Sequence, residues 1–146
     1  DTVIREFQTD AGLSQIEAQI ELINHIFGDC PVEHMRDRAM AMNEKMPENK
    51  LLGWTVEALE TRCPSSIKLF NRLLDKTEGI NDPIEAIKLD FHLALQMSKR
   101  NDFVEGVRTM VVDKGHTPQW TPNSLEAVTE TMLDALFDRT DLPFLV

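Results

Sequence analysis

The residues best suited to binding a charged ligand lie together in the second half of the chain. Lys99, Arg100, Arg108 and Lys114 form a basic island in a chain whose formal net charge is −10. Trp120 follows them, and cations beside a flat aromatic ring suit a phosphorylated ligand that carries a planar ring. The competing interpretation is that Arg108 and Lys114 are exposed helix residues and Trp120 fills the core. The residue types alone favour this second interpretation.

Gly106 lies within the same stretch, at a position that the surrounding pattern assigns to a helix. A glycine inside a helix costs about 1 kcal/mol relative to alanine, because its backbone loses more conformational freedom. Its presence therefore indicates that backbone or ligand packs closely against this face of the helix.

Other residue types give weaker candidates for chemistry. Cys30 and His34 are four residues apart and could face one metal ion, but a structural zinc site needs two further ligands. Asp134 and Asp138 have the i,i+4 spacing that is more typical of a solvated helix face than of paired catalytic acids. The chain has no nucleophile elbow and no glycine-rich phosphate loop. We therefore predict no catalytic residue and no metal site.

Length and composition limit the class of protein. The chain has 146 residues, of which 42% are hydrophobic and 27% charged, enough for one domain with a core of its own. No apolar run approaches the roughly 20 residues that cross a bilayer, and the net charge of −10 repels nucleic acid. We expect neither a membrane nor a nucleic acid as a partner. Two cysteines favour reduced thiols over a disulfide framework.

Helix signals dominate the elements that must position these residues. A Ser-x-x-Glu capping box begins at Ser14, and Asn49 and Asp82 can cap two later helices. Either Ser65 or Ser66 can cap the helix between those two. Weaker signals predict short helices at residues 124–128 and 130–138, and residues 3–7 could form a helical turn or a strand, of which we favour the helix. No run alternates apolar and polar residues long enough to need a sheet, so the predicted fold is all-α, with about seven helices in a compact bundle.

Apolar residues at helical spacing predict which faces are buried. The predicted buried stripes are Ile16, Ile20, Ile23 and Phe27; Val32, Met35, Ala39, Met42 and Met46; Leu52, Val56 and Leu59; Ile67, Phe70, Leu73 and Leu74; Ile84, Ile87, Phe91 and Leu95; and Val107, Met110 and Val111. We treat 1–146 as a single helical domain, with the first three main helices in 1–62 and the remaining helices and tail in 63–146.

Three segments resemble a known family. The first is Phe103-x-Glu105-Gly106-Val107-Arg108, followed by Asp113-Lys114 and Pro118-x-Trp120-x-Pro122. The second is Cys63-Pro64-Ser65-Ser66-Ile67-Lys68, and the third is Ile23-Asn24-His25-Ile26-Phe27 at the end of a helix. Together they resemble the C-terminal region of the 3-hydroxyisobutyryl-CoA hydrolases, a branch of the enoyl-CoA hydratase (crotonase) superfamily.

The resemblance implies a fold, an activity and a site. The chain would be the C-terminal helical part of a crotonase-fold enzyme, whose catalytic β/α spiral core is absent from this sequence. The intact parent would hydrolyse a CoA thioester, in particular 3-hydroxyisobutyryl-CoA in valine catabolism, with the CoA moiety of the substrate and no covalently bound cofactor. Lys114 matches a position where the superfamily often places a lysine near the CoA phosphates, and Arg108 and Trp120 are its neighbours in the motif, so the resemblance predicts that these three residues bind the CoA moiety.

Two alternatives remain open from the sequence. The parent could be an enoyl-CoA hydratase or isomerase, or the chain could be a non-catalytic helical interaction module. The resemblance implies an acyl-CoA substrate through the parent enzyme, and self-association through the surface that packs on the missing core. It leaves the mitochondrial matrix and the bacterial cytoplasm equally open. Because the first residue is Asp1 rather than Met, we expect the chain to be a processed product or part of a longer protein.

Overall fold

Helices make up all the regular structure in the part of the chain that the computed structural model describes, which is residue 12 and residues 14–138. Its seven α-helices are α1 (Ile20–Phe27), α2 (Val32–Lys45), α3 (Lys50–Thr61), α4 (Pro64–Thr77), α5 (Pro83–Ser98), α6 (Asn101–Val107) and α7 (Glu130–Phe137). A 3₁₀ turn, Glu17–Gln19, precedes α1, and a π-helical segment, Arg108–Val112, continues α6. The predicted all-α fold is confirmed. The predicted helix at residues 3–7 lies outside the described residues.

Local capping chemistry sets where several helices begin. The Asn49 side chain accepts hydrogen bonds from two backbone N–H groups in the first turn of α3, at 3.0 and 3.4 Å. The Asp82 carboxylate accepts one from the first turn of α5, at 2.9 Å. The predicted cap at Ser65 or Ser66 is wrong, since α4 already begins at Pro64. Proline suits the first helical position because its fixed φ is helical and no N–H is needed there.

The segment between α6 and α7 is irregular where a short helix over 124–128 was predicted. Its backbone carbonyl groups have another partner, because the Lys68 ammonium donates to the carbonyl oxygens of Leu125 and Val128, at 3.5 and 3.1 Å. Both of these residues are buried. The segment therefore contributes two core side chains from a loop that α4 holds in place.

Three apolar clusters make up the core. The first joins α1, α2 and α3 around Ile26, Ala39 and Leu52, which are fully buried. The second joins α4, α5 and α7 around five buried residues, Leu69, Leu93, Val128, Leu133 and Leu136. A third cluster, of Val32, Met35 and Leu125, lies between the other two and receives Leu59 and Ile67. The two halves of the chain are thus joined by shared apolar packing.

Several stripes that the sequence predicted to be buried are exposed. In α1 the buried residue is Ile26, and in α5 the buried residues are His92 and Leu93. The stripe residues that are at least 40% exposed are Ile16, Ile20, Phe27, Phe70, Leu74, Ile84, Ile87, Phe91, Val107, Met110 and Val111. Periodicity identifies the apolar face of a helix, but it does not show whether another helix of the same chain covers that face.

Among the described residues, no helix is both long enough and apolar enough to span a membrane.

Candidate functional site

The guanidinium of Arg108 is held by two carboxylates. Its Nε and Nη2 each donate to one oxygen of Glu105, both at 2.8 Å, in a bidentate pair across three residues of the helix. Its Nη1 donates to Oδ2 of Asp113 at 2.7 Å. Bidentate pairing of this kind fixes the orientation of the guanidinium as well as its position. Arg108 is therefore bound within its own chain.

Glu105 also binds the segment that follows. Its Oε1 accepts the backbone N–H of Gln119 at 2.7 Å, in addition to the bonds from Arg108. The Arg108 hydrogen bonds, followed by the Gln119 hydrogen bond, lower the pKa of the Glu105 carboxyl from 4.5 to about 2. The same ion pairs raise the pKa of Arg108 above its ordinary value. One carboxylate thus links α6 to a backbone group 14 residues further along the chain.

The π-helical segment brings Arg108 and Asp113 together. The backbone N–H of Asp113 donates to the carbonyl oxygen of Arg108 at 2.7 Å, a bond across five residues instead of the four of an α-helix. π-Helical turns of this kind occur frequently at functional sites. The chain then turns sharply, and the N–H of His116 donates to the carbonyl oxygen of Asp113 at 3.2 Å.

Lys114 occupies the tip of that turn. Gly115 follows it with a φ of +88°, in the left-handed region that glycine adopts without a steric penalty. The Lys114 side chain is exposed, and it makes no ion pair or hydrogen bond with any residue that the structure describes. Of the three predicted ligand contacts, Lys114 is the one whose charge faces solvent without a described partner.

Trp120 is packed against its own chain. Its Nε1 donates to the carbonyl oxygen of Thr61, at the end of α3, at 2.9 Å. Two carbons of its ring lie 3.5 and 3.7 Å from the position where a Cβ would stand on Gly106. The nearest neighbour of Gly106 is thus a side chain at ordinary contact distance, and the close backbone approach that the glycine indicated is not found among the described residues. Arg108 lies in the π-helical continuation of α6, and the Trp120 ring packs on α6 at Gly106. Each of the two side chains already has a hydrogen-bond partner within the protein.

Asp102 is a site residue that the sequence did not reveal. It is buried, and its Oδ1 accepts the backbone N–H of Thr121 at 2.7 Å. Its Oδ2 accepts a bond from the thiol of Cys63 at 3.6 Å. Nothing in the local sequence distinguishes this buried carboxylate from an exposed one. For Glu105, the i,i+3 spacing to Arg108 was a usable signal of an ion pair.

An open, mainly apolar groove of about 630 Å³ lies beside these residues, between α4, α5 and α6. The exposed side chains of Phe70, Phe103 and Met110 line it, and so do the ring of Trp120 and the buried Asp102. Exposed apolar surface of this kind marks sites of interaction with other proteins or ligands. We call this surface the α4–α6 groove.

In the part of the chain that the structure describes, the weaker candidates for chemistry form no metal site, and one of the two acids is paired with an arginine. Among the described residues, no three His, Cys, Asp or Glu side chains, whether or not they include Cys30 and His34, are grouped closely enough to hold a metal ion. Asp134 forms an ion pair with Arg72, which also pairs with Glu130 at 3.0 Å. Asp134 thereby links α7 to α4.

Comparison with known proteins gives a family and a set of relatives. The model of the enoyl-CoA hydratase/isomerase family matches residues 1–137. The mitochondrial 3-hydroxyisobutyryl-CoA hydrolase of Xenopus laevis is 30% identical over 119 residues, which are 81% of this chain and 29% of that protein. The probable 3-hydroxyisobutyryl-CoA hydrolase 2 of Arabidopsis thaliana is 28% identical, over 84% of this chain and 33% of its own length. The chain spans about a third of the curated relatives that it matches.

Two crystal structures share the fold. A carnitinyl-CoA dehydratase from Mycobacterium thermoresistibile superposes with a TM-score of 0.78 at 19% identity, covering 89% of this chain and 36% of that chain. An enoyl-CoA hydratase from Rhodobacter sphaeroides gives the same TM-score and identity, covering 93% and 41%. At these identities the likeness concerns the fold alone. Both structures extend well beyond the region that this chain matches.

Proposed function

Because this chain belongs to the enoyl-CoA hydratase/isomerase family, we propose that it is the C-terminal helical part of an enzyme that hydrolyses a CoA thioester. We further propose that the substrate is 3-hydroxyisobutyryl-CoA and the pathway valine catabolism. The observation that carries this proposal is the similarity to proteins named 3-hydroxyisobutyryl-CoA hydrolase, at 28–30% identity over about four fifths of the chain.

In this proposal Lys114 contacts the phosphates of the CoA moiety. A lysine ammonium is a compact charge that can reach a phosphate from a flexible stem. The position of Lys114 at the tip of a turn, exposed and without a described partner, supports this role. Arg108 and Trp120 border the same site in the proposal, although their hydrogen bonds go to their own chain. The catalytic residues would lie outside these 146 residues.

The α4–α6 groove, in the same proposal, packs against the remainder of a crotonase fold. Support comes from the two solved structures, whose chains continue beyond the matched region, and from the exposed apolar residues along the groove. When the 146-residue chain is alone, we propose that a second copy covers the groove. For localisation we propose the mitochondrial matrix, since several relatives are named as mitochondrial enzymes.

Thiol release from the CoA ester tests the activity. The protein expressed from the complete gene should release free CoA from 3-hydroxyisobutyryl-CoA, whereas the 146-residue chain alone should bind CoA without turnover. The same preparation should be offered crotonyl-CoA, with loss of the conjugated double bond as the readout. Hydration of crotonyl-CoA without thiol release would show that the parent enzyme is a hydratase and not a hydrolase. Absence of both reactions, with a stable helical protein, would favour an interaction module.

A further inference from the structure

We propose that Arg108 is a positioning residue that holds Lys114 in place, and that it is not itself a ligand of the substrate anion. This inference rests on the proposed function, which gives Lys114 the contact with the CoA phosphates. It goes beyond that function because it assigns different tasks to two cations of one basic island.

The first anchor lies at the start of the turn that carries Lys114. Asp113 immediately precedes Lys114, and its carboxylate accepts a 2.7 Å bond from Nη1 of Arg108. Its backbone is bound too, through the 2.7 Å bond from its N–H to the carbonyl oxygen of Arg108. The guanidinium of Arg108 therefore holds the side chain of the residue beside Lys114, and the backbone bond of the π-helical turn adds to this anchor without depending on the arginine side chain.

The second anchor lies beyond the turn. Oε1 of Glu105 accepts both the Nη2 bond of Arg108 and the backbone N–H of Gln119. The Arg108 guanidinium orients this carboxylate towards the backbone of Gln119, so the segment 113–119 is fixed at both of its ends to α6 and its π-helical continuation. Lys114 is in the middle of a short span with two fixed ends, which limits the region its ammonium can reach.

The charge around Arg108 argues against a direct contact with phosphate. Its single positive charge is shared by Glu105 and Asp113, so that the three side chains together carry +1 − 2 = −1. An approaching phosphate would meet two carboxylates at the guanidinium, and like charges at close range repel. Lys114 has no carboxylate partner among the described residues, so an anion is drawn to the tip of the turn.

A double-mutant cycle on CoA binding by the 146-residue chain distinguishes a positioning role from a ligand role. We expect Arg108→Gln to weaken CoA binding about tenfold, the usual effect of losing a charge-assisted contact. We expect it to have no further effect in a Lys114→Ala background. If Arg108 bound phosphate itself, the two losses would multiply, and that result would overturn the inference. Arg108→Lys should rescue only part of the loss, because lysine cannot bridge both carboxylates.

Pantetheine, which lacks the nucleotide phosphates, serves as the comparison ligand. A positioning role through Lys114 predicts that Arg108→Gln weakens CoA binding and leaves pantetheine binding unchanged. Equal losses for both ligands would show a general structural defect and contradict the inference. The matched control is Arg36→Gln, because Arg36 also pairs with two carboxylates, Asp37 and Glu126, on a different part of the chain. The control should bind CoA as the unmodified chain does.

A readout without ligand separates this inference from the proposed function. Hydrogen exchange at the amides of His116 and Gln119 should become about tenfold faster in Arg108→Gln, because both amides are bonded within the anchored segment. Arg36→Gln should leave these two rates unchanged. If the segment loosens but the unmodified chain binds no CoA, the proposed function fails and the positional role of Arg108 stands. Unchanged exchange rates in Arg108→Gln would refute that role whatever the ligand.

Discussion

At the scale of single residues, the cations of the basic island differ in their partners. Arg108 is paired with carboxylates of its own chain, whereas Lys114 faces solvent. Arg108 is bound by Glu105 and Asp113, with three donor–acceptor distances between 2.7 and 2.8 Å. Arg100 is half-buried and donates to the neutral hydroxyl of Ser65 at 3.5 Å, a contact that does not compensate its charge. Clustering in sequence therefore overstates how much positive charge a ligand would meet. The partners seen in space distinguish Lys114, which faces solvent, from Arg108, which is paired with two carboxylates.

The ionisation of Glu105 gives a prediction about pH. Its pKa in the folded chain is about 2, below the ordinary 4.5, because Arg108 and then Gln119 donate to it. A lowered pKa means that this carboxylate stabilises the fold fully above pH 4.5 and loses that contribution as the pH falls from 4.5 towards 2. An NMR titration of the side-chain carboxyl carbon should show a midpoint near 2 in the unmodified chain.

The matched variants for this titration are Arg108→Gln and Arg36→Gln. In Arg108→Gln the midpoint should return towards 4.5, the ordinary value, and in Arg36→Gln it should not move. A midpoint that stays near its original value without Arg108 would show that the ion pair is not the main cause of the shift.

The contact between Gly106 and Trp120 gives a second prediction at this scale. A Cβ on Gly106 would lie 3.5 Å from the ring, an ordinary contact distance, so Gly106→Ala should be tolerated and add up to about 1 kcal/mol through helix propensity. Gly106→Leu should displace the ring, break its bond to Thr61 and cost about 1–3 kcal/mol by overpacking. Denaturant unfolding gives both energies. Tryptophan emission in a Trp54→Phe background reports the ring alone, and unchanged emission in Gly106→Leu would contradict the predicted packing.

At the scale of elements, helix caps were predicted more often than buried faces. Asn49 and Asp82 were correctly identified as caps because capping depends on a few neighbouring backbone groups. The stripe of α3 was also correct, and so was that of α2 except for Met46, which is exposed just beyond the end of the helix; the two helices pack on each other around Ala39 and Leu52. In α5 the apolar face that the pattern identified is exposed at Ile84, and the buried position is taken by His92. Burial depends on which elements meet, which a local pattern does not record.

The candidate site also contains residues that the sequence could indicate and contacts that it could not. Lys114, Arg108 and Trp120 were identified from a motif, and an i,i+3 pair such as Glu105 with Arg108 can be anticipated from spacing. The bond from Gln119 to Glu105 spans 14 residues, and the bond from Trp120 to Thr61 spans 59. Contacts at such separations depend on the path of the loop, so the sequence alone could not supply them.

The docking of α7 gives a prediction for an element. Leu133 is buried in the cluster that α7 shares with α4 and α5. Leu133→Ala leaves a cavity there and should lower the free energy of unfolding by about 2–5 kcal/mol. Thr131→Ala, at an exposed position of the same helix, is the control and should change stability by less than about 0.5 kcal/mol. Equal effects of the two substitutions, measured by urea unfolding, would show that α7 is not packed as the structure has it.

At the scale of the whole molecule, two properties act against each other. The described surface exposes many large apolar side chains, including those along the α4–α6 groove, which favours association. The net charge of −10 makes copies of the chain repel one another. Added salt screens the repulsion but leaves apolar burial in place. Association through the groove should therefore strengthen with salt, whereas association through ion pairs would weaken.

Sedimentation velocity over a range of protein and salt concentrations tests this expectation. The unmodified chain should sediment faster as either concentration rises if a second copy covers the groove, as we propose. Phe70→Asp and Met110→Asp place a charge at groove positions that are 61% and 70% exposed, so they should block association without disturbing the core. Trp54→Asp adds the same charge at a position that is 66% exposed and does not line the groove, and it should associate like the unmodified chain. If all three variants are equally monomeric, added charge rather than the groove controls association, and the proposed second copy at the groove is wrong.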